Sequence, residues 1–71
     1  MPKNIDVYHV TPNSKGSWEV QKEGNKRPSG FFKKKTDAVA RGKELAKKAK
    51  LGQVRIFKQD GTVQAEHTYG E

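Results

Sequence analysis

The chain has 71 residues, 31% hydrophobic and 32% charged, which limits it to one thin core; residues 1–71 are expected to form a single compact domain. It contains no cysteine, which rules out disulfides, thiolate chemistry and the common zinc-finger ligands. The net charge is +7, no apolar run approaches the ~20 residues that span a bilayer, and no signal peptide is read at the start, so a cytoplasmic protein is expected.

Ile5 to Val10 alternates, with Ile5, Val7 and His9 on one side and Asp6, Tyr8 and Val10 on the other, and reads as a strand. Apolar groups on both sides predict a strand covered on both faces or one that meets a partner. The turn formers Thr11 to Gly16 follow, and Pro12 ends the strand. Trp18 to Lys22 alternates with Trp18 and Val20 inward, and Trp18 is the largest single apolar contribution to the core. Glu23-Gly24-Asn25 signals a hairpin turn. Pro28 has no N–H to give a ladder, so Lys26 to Phe32 is read as an edge strand or an irregular arm, with one of Phe31 and Phe32 facing the core.

From Thr36 to Lys50 the apolar positions Ala38, Val39, Gly42, Leu45, Ala46 and Ala49 form one stripe of a 3.6-residue helix. Thr36 is the expected N-cap and Gly52 the expected stop. Asp37–Arg41 and Glu44–Lys48 are spaced as i,i+4 ion pairs. Gln53 to Lys58 reads as a strand with Val54 and Ile56 inward and Phe57 out of phase. Asp60-Gly61 turns the chain, and Val63, Ala65, His67 and Tyr69 then share one face of a final strand. The pattern β-β-(β)-α-β-β predicts an α+β fold, a small antiparallel sheet of four to five strands packed against one helix.

Charge is distributed unevenly. Residues 26–50 carry ten bases against two acids, a net +8, whereas the remainder carries five bases against six acids, a net −1. Lys26, Arg27, Lys33, Lys34 and Lys35 precede the helix, and Lys43, Lys47, Lys48 and Lys50 lie on its solvent side. Phosphate contacts need cations at intervals along a surface, so this array is a candidate nucleic-acid-binding segment. Lysine-rich helix faces are also ordinary solvated surface, and that reading stands beside the first.

With these elements placed, the chain resembles a bacterial and phage family, domain of unknown function 2188. The likeness rests on Tyr8-His9-Val10-Thr11-Pro12, Gly16-Ser17-Trp18-Glu19-Val20, Lys22-Glu23-Gly24, Lys35-Thr36-Asp37-Ala38-Val39, Glu44-Leu45-Ala46-Lys47, Asp60-Gly61-Thr62-Val63-Gln64 and Tyr69-Gly70. It covers about residues 8–70 and implies a compact α+β domain, with no activity, cofactor or catalytic residue to carry over. Phe31-Phe32-Lys33-Lys34-Lys35 is more basic than the family pattern. Residues 16–50 are also similar to the arm-type DNA-binding domains of phage integrases, from which Pro28 and the two strands after the helix depart.

No nucleophile stands at a recognisable spacing from a base, and no glycine-rich phosphate loop occurs, so no enzyme and no cofactor is expected. His9 and His67 would approach one another if the first and last strands paired, but a metal site wants three or more ligands, and none is expected. Tyr8 and Phe57 are candidates for a partner surface. The leading expectation is a non-enzymatic binding module for nucleic acid, through phosphates. The alternative is a protein-interaction or self-associating module, a homodimer included, whose basic face confers solubility. No membrane and no small-molecule substrate is expected.

Overall fold

The computed structural model describes residues 5–70; residues 1–4 and 71, which the single-domain expectation over 1–71 includes, lie outside the described residues. The elements run β1 (Asp6–Pro12), β2 (Trp18–Lys22), β3 (Gly30–Phe32), α1 (Lys35–Lys48), β4 (Leu51–Phe57) and β5 (Val63–Gly70). One helix packs on one face of a five-stranded sheet of order β3-β2-β1-β4-β5, the expected α+β arrangement. Three of the four pairings are antiparallel, but the central pair is not. β1 and β4 run parallel, so the sheet is mixed where an antiparallel one was expected. Only Ala49 and Lys50 link α1 to β4, so β4 must run straight back beneath the helix. There the seven residues of β1 offer it a full-length neighbour, whereas β3 offers three.

The core is built from the helix-side residues of the sheet and a stripe of small residues on the helix. Val10, Val20 and Val54, from three adjacent strands, are fully buried beneath Ala38, Gly42 and Ala46. A Cβ on Gly42 would come within 3.0 Å of the Val10 and Val54 methyl groups, so the helix sits as low as a side-chain-free residue permits. Trp18 and Ile56 complete the cluster, with Phe32, Tyr8, Val39, Leu45, Ala65 and Tyr69 packed around it. Phe32 is the phenylalanine that faces the core; Phe31 is 64% exposed on the opposite face.

The helix ends differ from expectation at both termini. The N-cap is Lys34, with extended backbone and no side-chain cap bond, where Thr36 was expected. Lys35 is drawn into the first turn because its ammonium donates to the Gln64 carbonyl and lies 5.0 Å from the centre of the Trp18 ring. At the other end, Ala49 is extended and Gly52 belongs to β4. Gly52 is not a left-handed stop. A Cβ there would lie 2.1 Å from the Ala46 carbonyl oxygen, so glycine is needed for close passage of strand under helix.

β1 lies at the centre, so its two apolar faces meet different surroundings. Tyr8 and Val10 lie toward the helix, and Val7 is 7% exposed on the other face. Pro28 stays outside the ladder, and the third strand is confined to Gly30–Phe32, register Val20↔Gly30 and Trp18↔Phe32. The Asp60-Gly61 turn is longer than the two-residue hairpin implied. The Lys58 N–H bonds the Thr62 carbonyl at 2.8 Å, and Gly61 takes φ +89°. A bulge follows, since Ile56 pairs with Ala65 and Phe57 with Val63, leaving Gln64 without a partner.

Gly52→Ala is expected to cost about 3 kcal/mol, because backbone must move. Gly42→Ala is expected to stay within about 1 kcal/mol of the native chain, since helix propensity offsets the crowding of two methyl groups. Urea unfolding followed by Trp18 fluorescence measures both; equal losses would refute the assignment of Gly52 as the tighter contact.

Candidate functional site

The strand register sorts the sheet residues onto two faces. The face of the sheet away from α1 carries Val7, His9, Thr11, Glu19, Gln21, Phe31, Gln53, Arg55, Phe57, Glu66 and Thr68, as the register requires. Its charges largely answer one another. Arg55 pairs with Glu66 at 3.1 Å, and His9 meets Glu23 at 3.2 Å. On the side of Tyr8, where β1 begins and β2 ends, Asp6 pairs with Lys22 at 3.4 Å.

In residues 26–50 the balance is different. Lys26 and Arg27 are exposed on the loop between β2 and β3, and Lys33 and Lys34 are exposed between β3 and α1. Lys47 and Lys48 are exposed on the last turn, Lys50 on the link to β4, and Lys43 is half-buried on the flank toward β5. Among the described residues, no carboxylate from outside 26–50 forms an ion pair with any of these side chains. The one pair within the segment is Arg41–Glu44 at 2.5 Å, an i,i+3 contact that replaces the expected Asp37–Arg41 and Glu44–Lys48 pairs. It forms because Arg41 can fork onto the carboxylate one turn ahead, while Lys48 acts on Glu44 only through its charge.

Two lysines are committed elsewhere. Lys35 is held by Gln64 and Trp18, and the Lys47 ammonium sits 5.4 Å from the centre of the Tyr69 ring. These cation–π contacts lay the aliphatic stems along the protein surface and leave part of each ammonium to solvent. Among the described residues, Lys26, Arg27, Lys33, Lys34, Lys43, Lys48 and Lys50 form no ion pair, side-chain hydrogen bond or cation–π contact.

Of the two aromatic candidates for a partner surface, Tyr8 is half-buried against the core beneath the helix. That position leaves little of it to a partner. Strand alternation alone placed it opposite Val7 without revealing which face the helix would cover. Phe57 lies on the uncovered face, its ring 5.5 Å from that of His9. Phe31 is the most exposed aromatic there and was not singled out from the sequence. His9 and His67 do not approach one another, because β4 separates β1 from β5 and the two rings project to opposite faces. No group of three or more potential ligands among the described residues is placed to hold a metal ion.

α1 lies chiefly over β1 and β4 and touches β5 only at its margin. Between them runs an open groove of about 570 Å³, floored by Ile56 and Ala65 and flanked by Val39, Lys43, Gln64 and His67. Nothing in the sequence marked it, since its walls come from elements more than twenty residues apart.

The described residues include no helix long and apolar enough to cross a membrane. A family model described as "Uncharacterized protein conserved in bacteria (DUF2188)" matches residues 8–69, most of the chain. No curated protein and no solved structure matches it.

The Arg41 hydrogen bond, its charge and the charge of Lys48 hold the Glu44 carboxyl below its ordinary value of 4.5. The stability this contributes is present above the ordinary carboxylate range and is lost as pH falls through the lowered value. Arg41→Gln is expected to return the Glu44 midpoint toward 4.5 in a carbon-detected NMR titration. An unchanged midpoint would show that Arg41 is not the cause.

Proposed function

The chain belongs to the DUF2188 family of uncharacterised bacterial proteins, and from that premise we propose that it is a non-enzymatic, cytoplasmic module that binds nucleic acid through the phosphate backbone. The observation that carries this reading is that, among the described residues, no carboxylate outside 26–50 pairs with the cations of that segment. Unpaired cations keep their counterion atmosphere and release it when phosphates take its place, which is a source of affinity that needs no base contact. Lys33 and Lys34 form the densest exposed anchor, Arg27 supplies a forked donor, and Lys48 and Lys50 extend the track along the helix. Sequence preference is weak in this reading, because lysine ammonium groups recognise charge and not base edges.

Binding to short labelled duplex and single-stranded DNA and RNA, followed by anisotropy across salt, tests the proposal. Affinity is expected to fall steeply between roughly 50 and 200 mM salt. The combined variant Lys33→Glu, Lys34→Glu and Lys48→Glu is expected to abolish binding and, where residual binding is measurable, to flatten the salt slope. Absence of binding at low salt would overturn the reading.

A second reading has its own support. The uncovered sheet face presents Phe31 at 64% exposure on β3 and, beyond β2, the Phe57–His9 pair, the apolar content that a protein partner or a second copy would cover. Sedimentation velocity over a concentration series, with Phe31→Ser as control, checks it. A concentration-dependent dimer that Phe31→Ser disperses is the expected result, and a monomer at every concentration removes self-association.

A further inference from the structure

The two edges of the sheet are protected very unequally. β3 is three residues long, follows Pro28 and leads into Lys33, Lys34 and Lys35, so a strand arriving there finds almost no ladder and a cluster of charge. β5 is eight residues long, contains no proline and no lysine, and past its bulge presents Ala65 to Gly70 as regular strand. Such an edge is a ready template for another strand.

Its helix side is equally open. Ala65 and Tyr69 are half-buried and His67 is exposed, because α1 touches β5 only at its margin. The groove described above lies directly over this strand. Lys35 holds Gln64 at one end of it, near the helix start, and beyond its other end Lys47 lies over Tyr69. Between them Lys43 overhangs an apolar floor of Ile56 and Ala65 and faces the same space as His67. Among the described residues, no carboxylate lines the groove and none pairs with Lys43.

We propose that β5 and this groove receive an extended segment of a partner protein, added as a sixth strand, with carboxylates and small apolar side chains on the residues that point toward α1. Main-chain hydrogen bonds to the β5 edge supply register-independent affinity, and side chains at every second position reach the groove. Carboxylates there meet Lys43 and Lys47, while apolar neighbours cover Val39 and Ala65. A second copy of this chain fits less well. Antiparallel pairing of β5 with itself places two basic helices side by side on one face, and the helix-side residues it would insert, Ala65, His67 and Tyr69, carry no acid.

The probe is a capped peptide of alternating valine and glutamate, compared with the same peptide N-methylated at alternate bonds and with its lysine-for-glutamate counterpart. Binding is read by NMR as slowed amide exchange. Protection confined to Ala65–Gly70 is expected, with roughly tenfold or greater weakening by Lys43→Glu and no binding of either control peptide. The Lys33→Glu, Lys34→Glu variant is expected to keep peptide affinity, since neither residue lines the groove, so failure here and failure of nucleic-acid binding are told apart. Equal binding of the N-methylated or lysine peptide, protection elsewhere, or no binding at millimolar peptide overturns the proposal. Concentration-dependent protection of β5 in the free protein also overturns it, in favour of a second copy on that edge.

Discussion

Everything else in this molecule depends on how low the helix lies over the sheet. Gly42 meets the methyl groups of Val10 and Val54 with no side chain between, and Gly52 slips beneath the Ala46 carbonyl. The helix contributes mostly backbone and methyl groups to the core, so the apolar area comes from the sheet: three valines, Trp18 and Ile56. Each buried valine contributes on the order of 1.5–3 kcal/mol relative to exposure. Close approach is how a chain of such modest apolar content encloses a core without void.

The low helix also shapes the surface. Lysine stems that leave a helix close to a sheet can lie across its aromatic rings, as Lys35 does on Trp18 and Lys47 on Tyr69. Arg41 pairs with Glu44, and among the described residues the other cations of 26–50 form no ion pair. The carboxylates of the sheet sit on its far face or its ends, where Arg55, His9 and Lys22 engage three of them. The charge imbalance along the chain is therefore carried by the stretch from the β2–β3 loop through α1 to the link before β4.

Placement of α1 over β1 and β4 has a second consequence at the margin. A single helix cannot shield five strands, and the strand left outside is the long one with an unprotected edge. The Gln64 bulge turns a side chain that would otherwise alternate to the far face toward Lys35, which fixes one end of the groove. Lys43 belongs both to the basic face and to this groove. An acidic strand and a nucleic acid would compete for it.

The helix, the inward residues of β2 and β4, the core role of Trp18 and the basic segment were all legible in the linear pattern, because each is a local periodicity or a local count. Thr36 and Gly52 were misread as caps because capping signals are local preferences, and here the Lys35–Trp18 contact and the passage of β4 under Ala46 overrode them. The parallel β1–β4 pair, the burial of Tyr8, the separation of His9 from His67 and the groove beside β5 were decided only on folding. Each depends on which distant strand takes which slot in the sheet. Alternation gives a strand two faces, but only its neighbours and the position of the helix decide which face is covered.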